Sequence, residues 1–170
     1  MNNKGIFSPV IADIRAGMKR GKIVSVDDAI RVIRDGDTVS IDGFIGGCAP
    51  EELLLGLERR FLATGEPKNL TLIFAAGIGD SKEKGINRLA HEGLLKRVIA
   101  GHWGLVPKLQ QLALAGKIEA YNFPQGVITH LYRDIAGHSP RTITHVGLGT
   151  FVDPRDWGGK VNAMTTEDLV

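Results

Sequence analysis

The groups in this sequence that could do chemistry gather at four places. The segment Asp42-Gly-Phe-Ile-Gly-Gly-Cys-Ala49 carries Gly43, Gly46 and Gly47. The others are Gly77-Ile-Gly79-Asp80, Pro124-Gln125-Gly126 and Gly147-Leu-Gly149-Thr150. Glycine lacks a Cβ, so its backbone can approach a ligand closely. Several backbone N–H groups aimed at one acyl carbonyl stabilise an oxyanion without adding a net charge. Each glycine can also be read as the plain end of a strand or helix. Four such segments at comparable positions favour a shared cleft.

Other chemistries have thinner support. Cys48 sits just before a helix start, where the dipole lowers a thiol's pKa. No histidine is linked to it by spacing, so a small residue in a tight turn is the plainer account. His91, His102, His130, His138 and His145 form no i,i+4 pair with one another and no Cys-His cluster, so no metal site is expected. His102-Trp103-Gly104 reads either as a ligand wall or as a packed aromatic corner. Glu92, in His-Glu-Gly, reads as a solvated charge. The Gly43, Gly46, Gly47 spacing is not the dinucleotide fingerprint, and no Gly-Lys-Ser/Thr follows to hold a nucleotide phosphate.

These groups need rigid elements to hold them. Ser25 and Asp28 form a capping-box-like start, with Val26, Ala29, Ile30 and Ile33 at helical spacing and Gly36 as the stop. Asp37 to Ile41 alternates as a strand does. Pro50 opens a helix as a first-turn proline, with Glu51 and Glu52 at its positive end and Leu54, Leu57 and Phe61 as its buried stripe. Asn69 to Ala76 is apolar enough for a strand buried on both faces. A short helix is predicted over Arg88 to Lys96 and a strand over Arg97 to Gly101. Pro107 starts a helix bearing Leu109, Leu112 and Ala113, closed by Gly116. Glu119 to Phe123 reads as a strand and Gln125 to Ala136 as a helix with Val127, Leu131 and Ile135 one turn apart. Thr142 to Val146 is predicted as a last strand.

Strand and helix alternate, which predicts an α/β fold: an open, mostly parallel sheet with helices on both faces. Ligands of such sheets bind beyond the carboxyl ends of the strands, where all four glycine-bearing segments fall. Thr165-Thr-Glu-Asp168 looks like the start of a further helix, so residues 22–170 read as an incomplete domain, truncated at its C-terminus. Residues 1–21 read as a leader, poorly ordered or partly helical.

Composition narrows the class. The 170 residues suffice for one domain with a real core. With 43% apolar and 24% charged residues and a net charge of +2, the chain suits an ordinary globular protein and gives nucleic acid nothing basic to bind. It contains no apolar run of membrane-spanning length and no secretory signal pattern, and its single cysteine excludes a disulfide framework. A cytoplasmic protein is the expectation.

Taken in order, several segments resemble the first half of the family I CoA-transferases, of the acetate, propionate and short-chain acyl type. They are residues 42–50, Gly77-Ile-Gly-Asp80, Gly101-His-Trp-Gly104, Tyr121-Asn-Phe-Pro-Gln-Gly-Val127, Gly147-Leu-Gly-Thr-Phe-Val-Asp-Pro-Arg155 and Gly158-Gly-Lys-Val-Asn162. The resemblance runs from about Lys22 to Val170. It implies transfer of coenzyme A, a co-substrate rather than a bound cofactor, between an acyl-CoA and a carboxylic acid. The covalent intermediate is a glutamyl-CoA thioester. The nucleophilic glutamate of the family lies in the second half, and no segment here matches its motif. The resemblance therefore implies a partner half, fused or separate, and no activity from this chain alone. A half-built sheet would leave an unpaired edge and uncovered apolar surface, so an oligomer, or poor solubility of the isolated chain, is the expectation. The resemblance also implies that Gln125 faces the acyl group. Gly126, Gly43, Gly46, Gly47, Gly77, Gly79, Gly147 and Gly149 would line the substrate cleft. A truncated nonenzymatic remnant, an acyl-CoA hydrolase or a sugar-phosphate isomerase of related architecture are the alternatives.

Overall fold

The computed structural model describes residues 23–170; the leader expected over 1–21 lies outside the described residues. Four helices, four strands and one 3₁₀ turn are described. Ser25 caps α1 (Val26–Ile30), its Oγ accepting from the Asp28 N–H at 3.1 Å. α1 is shorter than the spacing to Gly36 suggests. Its fifth residue is its last, and looser turns carry the chain on to Gly36, which sits at φ +76°.

β1 (Thr38–Ser40) leads to α2 (Glu51–Thr64), for which Pro50 is the N-cap residue just ahead of the first turn. Leu54 and Leu57 are 3% and 2% exposed, so the expected stripe packs inward. Gly65 ends the helix at φ +71°, a left-handed cap that only a residue without a Cβ adopts at little cost. β2 (Leu70–Phe74) follows. Leu72 and Phe74 are fully buried, each contributing about 1.5–3 kcal/mol of apolar transfer.

The helix expected over Arg88 to Lys96 does not form. A 3₁₀ turn covers Ile86–Leu89, and β3 (Leu95–Ala100) begins within the expected helix. Gly93 at φ +88° breaks any helical path there. The carbonyls of Gly93 and Leu94 instead accept from Asn69 and Leu70 at the foot of β2, at 3.0 and 2.9 Å. α3 (Pro107–Leu114), β4 (Glu119–Asn122) and α4 (Gln125–Ala136) fall where the sequence places them.

The four strands are parallel and lie in the order β1-β2-β3-β4, with Val39 beside Leu72, Ile73 beside Ile99 and Ile99 beside Tyr121. Right-handed crossovers stepping steadily in one direction put every connecting element on one face. Residues of α1, α2, the 3₁₀ turn and α3 accordingly share one core with Leu72, Phe74, Val98 and Ala100. Among the described helices, α4 covers the other face, where Ile128 packs with Ile73 and Ala75. The α/β architecture with helices on both faces is thus present. The residues of α4 that pack on the sheet are Ile128 and Tyr132, while Ile135, on the one-turn set Val127–Leu131–Ile135, is 57% exposed. α4 carries apolar residues at both phases, and the sheet takes the set one position along.

Two expectations near the C-terminus are also corrected. Thr142 to Val146 is not a strand, and Ile143 is 92% exposed. The outer edge of β4, next to which it would have to pair, is occupied by residues 159–165. Asn122 N–H donates to Gly159 O at 2.9 Å, and Val161 N–H to Ala120 O at 3.0 Å. Thr165 starts no helix. It is 5% exposed, and its Oγ1 accepts from the Ala120 N–H at 2.7 Å. Among the described residues, the outer edge of β1 pairs with no strand.

Candidate functional site

A wholly parallel sheet brings the carboxyl ends of its strands to one rim, so the loops after β1, β2, β3 and β4 become neighbours. The first two are stitched together by backbone. Ile45 N–H donates to Gly77 O at 3.0 Å, and Gly79 N–H to Ile45 O at 2.8 Å. The second touches the third. A Cβ on Gly77 would stand 2.7 Å from His102 Nδ1 and 3.2 Å from Leu105 Cβ. The third touches the fourth, because a Cβ on Gly101 would meet the Gln125 Cα at 2.8 Å. Gly147 joins the group against Pro124, whose Cγ would lie 3.8 Å from an added Cβ. Gly43, Gly77, Gly79, Gln125 and Gly147 are thereby gathered along one rim.

The amides of these loops are not equally available. Gly43 N–H donates to Asp42 Oδ1 at 2.9 Å, and Gly47 N–H to Phe44 O at 2.8 Å. Gly79 N–H is held by Ile45 O, and Gly149 N–H donates to Asp153 Oδ2 at 2.8 Å. These four glycines shape turns with their own hydrogen bonds. Gln125 and Gly126 stand differently: they open α4, where the first-turn N–H groups have no helical acceptor, and both residues are exposed. Nothing within 4 Å would meet a Cβ on Gly46, Gly126 or Gly149, so close packing is not what requires glycine there.

Buried polar groups lock the rim. Asn87, 1% exposed, donates through Nδ2 to Lys84 O at 3.2 Å and to Leu105 O at 3.1 Å, joining the second loop to the third. Glu51, at the start of α2, accepts from Gly85 N–H at 2.8 Å and from Arg88 Nε at 2.7 Å. Glu58 adds Arg88 Nη1 at 3.0 Å and lies 3.1 Å from His91 Nε2. The hydrogen bond to Glu51 first, then that to Glu58, raises the Arg88 pKa, so this cation is permanent. Asp80 Oδ1 accepts from the N–H groups of Lys82, Glu83 and Lys84, each at 2.9 Å. Those donors, Lys84 foremost, hold its carboxyl below the ordinary range.

Asp153 performs the same task for the last loop. It is 1% exposed and accepts from Gly149 N–H, from Arg155 N–H at 3.0 Å and from the Arg155 guanidinium at 2.9 and 2.6 Å. The guanidinium bond, then the two amides, drives its pKa well below the usual carboxylate value. Tyr132 lies on the α4 side of the rim. Burial raises its pKa against the opposing influence of the nearby Ser40 side chain and Ala75 backbone. Its hydroxyl makes no hydrogen bond of good geometry. Asn87, Asp153 and Tyr132 were not among the sequence candidates. The turn-forming Asp-Pro-Arg run is a usable signal for Asp153; the other two carry none.

Cys48 is exposed at φ +58°, in keeping with a small turn residue. Trp103 packs edge-on to Phe74 at 6.3 Å between ring centroids, while His102 is exposed, so that segment is in part the packed corner. Glu92 is an exposed charge, 3.2 Å from Lys117. No helix of the described residues is long and apolar enough to cross a membrane, and no group of three or more metal-binding side chains occurs among them.

Two cavities flank the turn from Asn122 to Gly126. One, of about 450 Å³, lies between α4 and residues 142–146. The other, of about 490 Å³, lies between α3 and the loop after β3, beside Trp103 and Gln110.

Comparison with known proteins gives a consistent result. Residues 23–168 match the family described as coenzyme A transferase. The chain is 43% identical over 152 residues to the acetate CoA-transferase YdiF of Escherichia coli K12, covering 89% of this chain and 29% of that protein. It is 44% identical over 149 residues to the caffeate CoA-transferase of Acetobacterium woodii, covering 88% and 28%. The crystal structure of the acyl-CoA transferase YdiF apoenzyme from E. coli O157:H7 superposes with a TM-score of 0.80 at 42% identity, over 86% of this chain and 29% of that one. The chain thus spans under a third of the length of these relatives.

Proposed function

Because the chain belongs to the coenzyme A transferase family, we propose that it builds one wall of a site where coenzyme A passes between a short acyl-CoA and a carboxylic acid. The nucleophile in this reading is a glutamate outside these 170 residues. Its carboxylate attacks the thioester, forming an acyl-glutamyl anhydride and releasing CoA thiolate. The thiolate then attacks the glutamyl carbonyl, giving a glutamyl-CoA thioester and freeing the first acid. The acceptor carboxylate repeats the sequence in reverse and leaves as its CoA thioester.

The observation that carries this reading is that the strand-end loops lie side by side along one rim, with Gln125 held against Gly101 at the start of α4. The Gln125 side-chain amide and the backbone N–H groups of Gln125 and Gly126 can donate to a carboxylate or oxyanion without titrating, whereas the Val127 N–H is taken by Pro124 O at 2.9 Å. The glutamates of the chain itself support an external nucleophile. Six of its eight are in ion pairs: Glu51 and Glu58 with Arg88, Glu83 with Lys108, Glu92 with Lys117, and Glu119 and Glu167 with Arg97. Glu52 and Glu66 are exposed on and after α2. The same reading includes a second half, fused or separate, assembly into an oligomer, and a cytoplasmic setting.

The test is acyl exchange between acetyl-CoA and propionate. The chain alone should be inactive, and the chain combined with a second half should be active. Turnover by the chain alone would remove the external nucleophile, and inactivity of a stable complex of the two would remove the transferase reading.

A further inference from the structure

We propose that His102 is a second binding residue for the carboxylate of the acid, donating a ring N–H to it beside Gln125. This rests on the transferase reading and adds to it a residue with a defined task.

Trp103 makes the segment rigid and leaves its neighbour free. Its indole packs edge-on to Phe74, and its carbonyl accepts from Gln110 Nε2 at 2.6 Å and from Val106 N–H at 3.1 Å. A backbone anchored in this way fixes the point from which the preceding side chain departs. His102 takes no part in that packing. It is exposed, and among the described residues its ring makes no hydrogen bond or ion pair. Both ring nitrogens are therefore available to a ligand.

The ring is nevertheless held. A Cβ on Gly77 would stand 2.7 Å from His102 Nδ1, and one on Gly104 would stand 2.9 Å from its Cε1 and 3.1 Å from its Nε2. Two glycines thus form a slot that admits an imidazole only because neither has a side chain. Gly104 is exposed and does not adopt a positive φ, so neither burial nor backbone conformation calls for glycine there. The atoms nearest to its added Cβ all belong to the His102 ring.

The slot lies next to Gln125. Gly101 precedes His102, and its added Cβ would stand 2.8 Å from the Gln125 Cα. Consecutive α-carbons are about 3.8 Å apart, so those of His102 and Gln125 lie within about 8 Å of each other. Both side chains are exposed on that rim. A carboxylate offers two oxygens, one for the amide and one for the imidazole, and hydrogen bonds to an anion are the strong ones. The acid must be held as its anion, because the anion is what attacks the glutamyl thioester. An imidazole beside a thioester has one competing use, as a base that takes a proton from water and so hydrolyses the acyl-CoA.

The test is steady-state exchange by the chain combined with a second half, with propionate and acetyl-CoA varied in turn. His102→Ala should lower kcat/KM for propionate at least about tenfold, the scale of a hydrogen bond to a charged group, and that for acetyl-CoA less than about threefold. His102→Gln keeps an N–H donor and should return propionate to within about threefold of the parent. Gly104→Ala keeps the imidazole but displaces the ring, and should cost at least about fivefold. Added to His102→Ala it should cost nothing more, since both act through one contact. An unchanged propionate constant in His102→Ala, or losses that simply add in the double variant, would overturn the proposal. So would release of free acetate and CoA that His102→Ala abolishes, which would make the imidazole a base for water. Should the combined halves show no exchange, the transferase reading falls and His102 is judged on the 170-residue chain by NMR. Propionate, and not chloride at equal ionic strength, should then shift its ring C–H resonances, and a ring that does not respond would overturn the assignment.

Discussion

Gly101 lies directly beneath Gln125: a Cβ added to Gly101 would stand 2.8 Å from the Gln125 Cα and 3.1 Å from its Cβ. The third and fourth strand-end loops therefore meet at a point where one methyl group does not fit. Gly101→Ala should press on both the Ala75 carbonyl, 2.4 Å from the added Cβ, and the start of α4, and destabilise the chain by about 1–3 kcal/mol, as overpacked sites do. Urea unfolding measures this. A midpoint equal to that of the parent would mean that both neighbours yield freely and that the contact does not fix Gln125.

Gln125 itself is exposed and has little to do with folding. Gln125→Ala should change stability by less than about 0.5 kcal/mol. In the complex with a second half it should lower acyl exchange roughly 100-fold, the scale of losing one oxyanion donor. Gln125→Glu should be at least as damaging, since it sets a negative charge beside a developing one. Full exchange activity in both variants would assign the donor role elsewhere on the rim.

Asp153 makes a pH-dependent contribution. Its folded pKa is depressed, first by Arg155 and then by the Gly149 and Arg155 amides. A carboxylate of this kind stabilises the fold above its unfolded value of about 3.9 and stops doing so as pH falls through its folded value. The melting-temperature gap between the parent and Asp153→Asn should be complete above about pH 5 and should close progressively below about pH 4. A gap that persists unchanged into stronger acid would show that packing, not charge, is what Asp153 supplies.

Thr165 closes the outer edge of β4 through the Ala120 N–H at 2.7 Å, and its own hydroxyl reaches Asn162 Oδ1 at 2.5 Å. Thr165→Val keeps the shape and removes the acceptor. A buried N–H left unpaired costs about 1–3 kcal/mol. Hydrogen exchange of the Ala120 amide should accelerate together with that loss, and an unchanged rate would show the strap to be dispensable.

The outer edge of β1 has no neighbour among the described residues, and Thr38 and Ser40 on it are exposed. Unpaired edges associate unless charge or cover prevents it. The isolated chain should self-associate at micromolar concentration in light scattering, and Thr38→Lys should shift it toward monomer. A parent chain that stays monomeric would count against an open edge.

The sequence reading succeeded where period and punctuation agree. α2, α3 and α4 carry clear starts and apolar spacing, and β2 is a run too apolar to be anything but a central strand. It failed where a distant partner decides. Residues 88–96 have helical composition, but Gly93 and the pairing with Asn69 and Leu70 turn them into the foot of β3. Thr142 to Val146 alternates like a strand, yet the β4 edge already belongs to residues 159–165. The Arg88 network joins Glu51 and Arg88 across 37 positions, a separation that no local pattern encodes. In the site, the gathering of the glycine loops was foreseeable from strand parity. Which amides stay free was not, because it depends on turns closed by Asp42, Phe44, Ile45 and Asp153.

Among the described helices α4 is on its own face of the sheet, and that sets the direction in which the architecture extends. Helices on the first face carry the chain from β1 toward β4; a right-handed return from the opposite face must travel back the other way, past strands already in place. The chain leaving α4 makes no such parallel return among the described residues: it comes back to the β4 side and lays residues 159–165 antiparallel along it, so β1 keeps the edge at which a further parallel strand could extend the sheet.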